Sequence, residues 1–205
     1  MVQGGKMVGP AFTVKYVPIG EHKGTVGDYI DDCKAGDVIV LNNAGRTTCP
    51  VWGDILTYVA TAKGITGTVI DGVCRDVDGS RELGYPMLSR WHNMVTGKDR
   101  VMVQSVNETV AISDIQVRPG DLIVGDESGV LVIPRNRADE VLAFAKEIDA
   151  TERLIFNKVK NGVHGERLAK STVTMNYKEA MSKAIKKNPQ LFNEQLGILL
   201  HLSQN

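Results

Sequence analysis

The sequence lacks the marks of several functional classes. It has three cysteines in 205 residues, an odd number without CxxC spacing, which argues against a disulfide framework and a cysteine zinc site. Lysine plus arginine and aspartate plus glutamate both number 24, and no basic cluster stands out. The balanced charge indicates neither a nucleic-acid surface nor an acidic membrane surface. A small polar metabolite is therefore the better-supported kind of ligand.

Long apolar runs and common cofactor motifs are missing too. Residues 1–14 contain no apolar segment of the kind found in secretory signals, and no later stretch is long enough to cross a bilayer. A cytoplasmic protein without a membrane partner is expected. No GxGxxG follows a predicted strand, which argues against a nucleotide-binding methyltransferase. His92 has no HxH or HExxH spacing, so a structural role is favoured over a metal-binding one.

The composition is that of an ordinary globular protein, with 42% hydrophobic and 23% charged residues. A chain of this length builds one substantial core, so one domain is expected. Apolar patterns predict strands at 10–17, 37–41, 68–70, 101–106, 110–112, 122–124 and 130–133 and from Tyr85, and helices at 26–33, 55–63, 76–83 and from Asn136 to about 161. The residues alone therefore predict a mixed α/β single domain.

One stretch, 52–79, contains most of the candidate catalytic and ligand-binding residues. It reads as an amphipathic helix that begins at Asp54 and ends near Gly64, followed by a buried strand that ends before Arg75 and Asp76. A helix that runs back along its neighbouring strand brings Asp54, Arg75 and Asp76 to the same edge of the sheet. Ligands of open α/β sheets bind at that edge.

The residue types at this edge suit an anion and a cation side by side. The free amides of Gly53, Ile55 and Leu56 at a helix start can hold an anion. Arg75 has a planar fork that suits a carboxylate, and Asp76 is a hard oxygen ligand for Mg²⁺ or Mn²⁺. The alternative is that Arg75 and Asp76 form a surface ion pair and that Asp54 is only a helix cap.

Two nearby features have weaker interpretations. The polar composition of residues 42–51 predicts a loop that forms a wall of the pocket. Arg46 in this loop is either a second carboxylate binder or a solvated side chain. Cys74 adjoins the predicted site without a histidine near it in sequence, so a small buried filler is favoured over a nucleophile.

Asp54, twenty residues, and then Arg75 and Asp76 form a D-x20-R-D pattern. This pattern resembles that of the metal-dependent pyruvate aldolases typified by 4-hydroxy-4-methyl-2-oxoglutarate aldolase. The blocks WGDIL, GTVIDGVCRDVDG, RELGYPMLSR and PGDLIVGDESGVLVIP also resemble that family, in order, over about 9–162. The resemblance implies a β/β/α three-layer sandwich of the ribonuclease-regulator type, related to the swivelling phosphohistidine domain. It also implies homotrimers or hexamers with active sites between subunits.

The resemblance further implies that a 4-hydroxy-2-oxo acid is cleaved to pyruvate and a second carbonyl compound, with oxaloacetate decarboxylation as a second activity. Asp76 would bind Mg²⁺ or Mn²⁺, and Arg75 would stabilise the enolate oxygen. Asp54 would orient a water molecule that shuttles the proton, and the amides of 53–56 would hold the carboxylate. Glu152 is the candidate for a glutamate that, in such aldolases, approaches the metal from a neighbouring subunit through water.

A regulator that inhibits a ribonuclease by protein contact is the alternative, since such regulators share the fold and the Arg-Asp pair. The carboxylate side chain of Asp54 favours the aldolase over the regulator. The expected organisation is an aldolase-like domain at 1–164 and a helical extension at 165–205, packed on the domain or on a neighbouring subunit. The family usually has a helical segment before the strand that matches 10–17. Either the start is truncated or the extension supplies that packing.

Overall fold

The computed structural model describes residues 5–162, which divide into two units at the peptide bond between Arg135 and Asn136. The elements of the first unit are β1 (Met7–Pro18), β2 (Val38–Arg46), α1 (Asp54–Ala62), β3 (Gly67–Cys74), α2 (Val77–Glu82), β4 (Met87–His92), β5 (Val101–Val106), β6 (Val110–Ile112), β7 (Ile115–Val117), β8 (Leu122–Asp126) and β9 (Gly129–Ile133). Short 3₁₀ turns lie at Asp28–Asp32 and Arg135–Arg137. The second unit contains α3 (Ala138–Lys160).

The main sheet has seven strands, with β4, β3, β2 and β1 side by side and parallel. The far edge of β1 pairs antiparallel with β8 through its first residues and with β5 through its last ones, and β9 continues beyond β8. β6 and β7 form a separate hairpin. The parallel half places the carboxyl ends of β2, β3 and β4 at one edge, which is where a ligand site is expected.

Two hydrophobic clusters cover the two faces of the sheet. One contains Tyr29, Trp52 and Ala60 and packs the helical side, and the other contains Val110, Val117 and Val132 and packs the hairpin against the sheet. A hairpin layer, a sheet layer and a helix layer result. The predicted mixed α/β class with a β/β/α three-layer arrangement is confirmed for the first unit.

β3 is buried at all eight positions, as its run of β-branched residues predicted. The predicted helices at α1, α2 and α3 are confirmed, whereas the helix predicted at 26–33 was wrong in type and length, since the segment contains only a five-residue 3₁₀ helix at Asp28–Asp32. The start of the predicted loop 42–51 was wrong, because β2 continues to Arg46 with a register shift after Asn42. Ala44 and Gly45 both have positive φ there, an irregularity that polar composition alone reads as loop. Sequence patterning also missed the three-residue strand β7.

α3 is amphipathic, and none of its 23 residues is buried within the described structure. An apolar stripe that includes Val141, Ile148 and Ile155 lies on one face of this helix. Among residues 5–162, no helix is both long enough and apolar enough to span a membrane. The helical extension predicted at 165–205 lies outside the described residues. The predicted domain boundary therefore stays a prediction.

Candidate functional site at the carboxyl end of β3

The segment that leads into α1 runs beside the end of β3. The Val51 amide donates to the Val73 carbonyl at 3.2 Å, and the Arg75 amide donates to the Trp52 carbonyl at 2.9 Å. These two bonds hold the start of α1 against the residues that follow β3. The predicted meeting of both segments at one edge of the sheet is observed.

Gly53 lies directly beneath the Arg-Asp pair. A Cβ atom at Gly53 would lie 2.7 Å from Asp76 Oδ2 and 3.3 Å from Arg75 Nε, closer than side chains normally pack. A Cβ atom at Gly79, in α2, would lie 3.2 Å from the Cβ of Asp54. The structure therefore brings Asp54, Arg75 and Asp76 together around two glycines that allow the close approach.

Arg75 Nε lies 3.3 Å from Asp76 Oδ2, with 36% and 35% of the two side chains exposed. Ion pairs this exposed contribute little to stability, so the pair leaves both groups available to a ligand. Asp76 adopts a left-handed backbone conformation, with φ 54° and ψ 45°, at the cap of α2. For a residue other than glycine this conformation costs about 1 kcal/mol, and such strain is often found at functional sites.

The first turn of α1 has unpaired amides. The Ile55 amide donates to the carboxylate of its neighbour Asp54 at 2.8 Å. Within residues 5–162, the amides of Gly53, Asp54 and Leu56 donate no hydrogen bond. Three of the four amides at the start of α1 can therefore donate hydrogen bonds to an anion, whereas the predicted binder Ile55 already has an acceptor.

Comparisons with known proteins identify the family of the chain. The family model described as "RraA-like: Aldolase/RraA" matches residues 1–132. The chain belongs to the RraA-like family.

Three relatives illustrate the range of this RraA-like family. Protein DlpA of Legionella pneumophila is 40% identical over 78% of this chain, which spans only 26% of DlpA. A "Putative 4-hydroxy-4-methyl-2-oxoglutarate aldolase" of Halalkalibacterium halodurans is 35% identical over 75% of this chain and 74% of its own length. The solved structure of Streptomyces coelicolor RraAS2, described as an unusual member of the RNase ES inhibitor RraA protein family, has TM-score 0.68 and 29% identity and covers 74% of this chain and 77% of its own.

The donor set of this RraA-like chain suits a hard cation that keeps much of its hydration. Asp54 and Asp76 supply carboxylate oxygens at the edge, while no group of three or more His, Cys, Asp or Glu side chains within residues 5–162 could hold a metal. Mg²⁺ is commonly bound through one or two carboxylates, with water and substrate oxygens completing its shell. The residues present therefore fit Mg²⁺ or Mn²⁺ and do not fit a zinc site.

The other candidate residues have distinct surroundings. Cys74 is fully buried beside Ser89, and burial raises the pKa of its thiol, which agrees with a structural filler. Arg46 donates hydrogen bonds to the backbone carbonyl of the buried Asn43 at 3.1 Å and to its side-chain Oδ1 at 3.2 Å. His92 stacks on Trp91 with ring centroids 5.0 Å apart. Glu152 lies on α3, outside the unit that contains the site.

A partly buried ion pair between neighbouring strands was not predicted from the sequence. Asp71 of β3 is 4% exposed, and its Oδ1 accepts from Arg90 Nε of β4 at 2.5 Å. Its Oδ2 accepts from the amide of Ser113, in the turn between β6 and β7, at 3.4 Å. The ion pair joins β3 to β4, and the bond from Ser113 ties the hairpin layer to the sheet. An aspartate within an otherwise apolar strand was the signal that could have revealed it.

Proposed function

We propose that this chain is a divalent-metal-dependent aldolase that cleaves a 4-hydroxy-2-oxo acid, such as 4-hydroxy-4-methyl-2-oxoglutarate, to pyruvate and a second carbonyl compound. One observation carries the proposal: Asp54, Arg75 and Asp76 meet at the start of α1, beside amides that have no hydrogen-bond partner among residues 5–162. Family membership and the aldolase names of relatives support the reaction class. Oxaloacetate decarboxylation is proposed as a second activity, because the loss of CO₂ leaves the same pyruvate enolate.

The amides would bind the substrate carboxylate. Gly53, Asp54 and Leu56 supply donors without a partner in the described structure, reinforced by the positive end of the helix dipole. Ile55 would join them only if its bond to Asp54 were exchanged for one to the ligand. This contact fixes the 2-oxo acid end of the substrate next to Arg75.

Arg75 would stabilise the oxygen on which charge develops. As the bond between C3 and C4 breaks, its electron pair passes to the pyruvyl unit and negative charge builds on the keto oxygen. Arg75 donates charge-assisted hydrogen bonds to that oxygen. Asp76 would hold Mg²⁺ or Mn²⁺, which when bound supplies Lewis acidity toward the same oxygen.

Asp54 would move the proton. Cleavage removes the proton of the 4-hydroxyl group as the new carbonyl forms, and the enolate later takes a proton at its terminal carbon to give pyruvate. A carboxylate at the start of α1 can pass that proton through a water molecule in both steps. Asp54 Oδ1 accepts only the adjacent Ile55 amide among described groups, so the other oxygen is available.

Glu152 and the assembly complete the proposal. The spacing of Glu152 from Ile148 and Ile155 puts it on the apolar face of α3, the face that a neighbouring surface would cover. We propose a homotrimer or hexamer in which Glu152 of one copy approaches the cation of another through water. Arg153 and Asp149 pair with each other at 2.9 Å, whereas Glu152 has no ion pair within residues 5–162.

The test is pyruvate release from 4-hydroxy-4-methyl-2-oxoglutarate and from oxaloacetate, coupled to lactate dehydrogenase. Turnover is expected with Mg²⁺ or Mn²⁺ and is expected to disappear in EDTA and return when metal is restored. Metal solutions without protein give the background for oxaloacetate, which free metal also decarboxylates. Rates no higher than background from a folded protein would sink the aldolase proposal and favour a regulator that acts by protein contact.

A second test uses the close approach of the Asp76 carboxylate to Gly53. Gly53 has an extended backbone (φ −151°, ψ −169°) that alanine adopts without strain, so Gly53→Ala is expected to keep the melting temperature. The new Cβ atom would lie only 2.7 Å from Asp76 Oδ2 and would therefore push the carboxylate away. A displacement of this kind costs about a hundredfold in turnover. Gly20→Ala, where nothing lies within 4 Å, is the matched control. Full activity in Gly53→Ala would contradict the placement of Asp76 in the site.

A further inference from the structure

A buried hydroxyl network lies beneath the start of α1. The Thr57 hydroxyl contacts Trp52 Nε1 at 2.8 Å, the Gly53 carbonyl at 3.0 Å and the Ser80 hydroxyl at 3.0 Å. Thr57 and Ser80 are both 0% exposed, and Trp52 is 2% exposed. The network therefore connects α1, α2 and the segment before α1 out of contact with solvent.

The direction of each bond follows from the chemistry of its partners. An indole N–H can only donate and a carbonyl can only accept, so Trp52 donates to Thr57 and Thr57 donates to Gly53. With its single proton used, Thr57 must accept from Ser80 through its remaining lone pair. The Thr57 hydroxyl is thus fully satisfied by three bonds.

The carbonyl of Gly53 receives two bonds from one residue, since the Thr57 amide also donates to it, at 3.1 Å. Because the peptide group is planar and trans, fixing this carbonyl toward the helix fixes the Asp54 amide in the opposite direction, away from the helix. That amide is one of the unpaired donors proposed to bind the carboxylate. The network thereby sets the direction of a substrate-binding group.

The network is also anchored at both ends. The Trp52 ring stacks on Tyr85 with centroids 5.9 Å apart, and the Tyr85 hydroxyl bonds Thr68 of β3 at 2.8 Å. Ser80 lies in α2, whose cap residue is Asp76, next to Gly79, which faces Asp54. One chain of contacts therefore holds both halves of the site against β3.

We infer that Thr57, together with Ser80, is a positioning residue that orients the Gly53–Asp54 peptide for anion binding. This inference rests on the proposed function. An amide that binds the carboxylate does so equally before and during bond cleavage, so a misdirected amide weakens binding more than it slows chemistry. The network should therefore be visible in KM and in the affinity for oxalate, a dianion related to the pyruvate enolate.

The experiment compares Thr57→Val, Thr57→Ser, Ser80→Ala and Thr61→Val. Thr57→Val is expected to raise KM and the oxalate Kd, measured calorimetrically with Mg²⁺, by about tenfold while kcat changes by less than about threefold. Thr57→Ser keeps all three bonds and is expected to restore both constants. Thr61 makes the same kind of bond one turn away, to the Thr57 carbonyl at 2.8 Å, so Thr61→Val should change neither. Ser80→Ala, which removes one donor, should raise the oxalate Kd by about two- to threefold.

Unchanged KM and oxalate affinity in Thr57→Val would overturn the inference, as would equal effects in Thr61→Val. If Thr57→Val fails to fold, Ser80→Ala decides by the same readouts. A wild-type protein that neither turns over substrate nor binds oxalate would instead refute the proposed function. The crystal structure of Thr57→Val then tests whether the network orients the Gly53–Asp54 peptide. A reoriented peptide supports the inference, and an unmoved peptide overturns it.

Discussion

Replacing Asp76 with asparagine is expected to abolish metal-dependent pyruvate release while leaving the fold intact. The change removes the charged oxygen ligand proposed for Mg²⁺, and Lewis-acid stabilisation of this kind is worth several kcal/mol, equivalent to about a thousandfold in rate. Asparagine tolerates the left-handed conformation of residue 76 better than alanine, so Asp76→Asn separates loss of charge from backbone strain. Turnover and Mn²⁺ affinity should fall together.

Asp78→Asn is the matched control for this experiment. Asp78 lies two residues further along, its side chain is 91% exposed, and it pairs with Arg81 within α2. The control is expected to bind Mn²⁺ and turn over substrate as the wild type does. If Asp76→Asn kept Mn²⁺ affinity and turnover within about tenfold of wild type, Asp76 would not be the metal ligand.

Arg75→Ala is expected to slow turnover by about two to three orders of magnitude, since a donor aimed at a developing oxyanion contributes roughly 3 to 4 kcal/mol. Mn²⁺ affinity should not fall, because the change removes a positive charge 3.3 Å from Asp76 Oδ2. Loss of rate without loss of metal distinguishes Arg75→Ala from Asp76→Asn. Steady-state kinetics and Mn²⁺ titration on the same preparations measure both quantities.

Arg75→Lys refines this result, because lysine keeps the charge and loses the planar fork. Partial recovery relative to alanine would indicate that charge and geometry both contribute. Arg81→Ala, on the exposed side of α2, is the control and should keep full activity. Turnover of Arg75→Ala within about tenfold of wild type, or a parallel loss of Mn²⁺, would contradict the role given to Arg75.

Local patterns in the chain were enough for most elements of the site. The apolar spacing after Asp54 marks α1, and the β-branched run before Arg75 marks β3, because each element buries a face with its own period. The turn from α1 into β3 reverses the chain direction, so the start of α1 and the end of β3 lie at the same edge of the sheet. Sequence periodicity and connectivity therefore placed Asp54, Arg75 and Asp76 at one edge, and the resemblance of the D-x20-R-D pattern to that of the aldolases made them site candidates.

The sequence by itself determined the mixed α/β class, the order of the elements apart from β7, and the residue types at the carboxyl end of β3. Only the tertiary structure decided that Gly53 lies beneath Asp76, that Asp71 pairs with Arg90, and that Thr57 joins Ser80 across two helices. These contacts join residues far apart in the chain through side-chain packing, which depends on the distances between elements. Local periodicity specifies which face of an element is buried, whereas the fold specifies what that face meets.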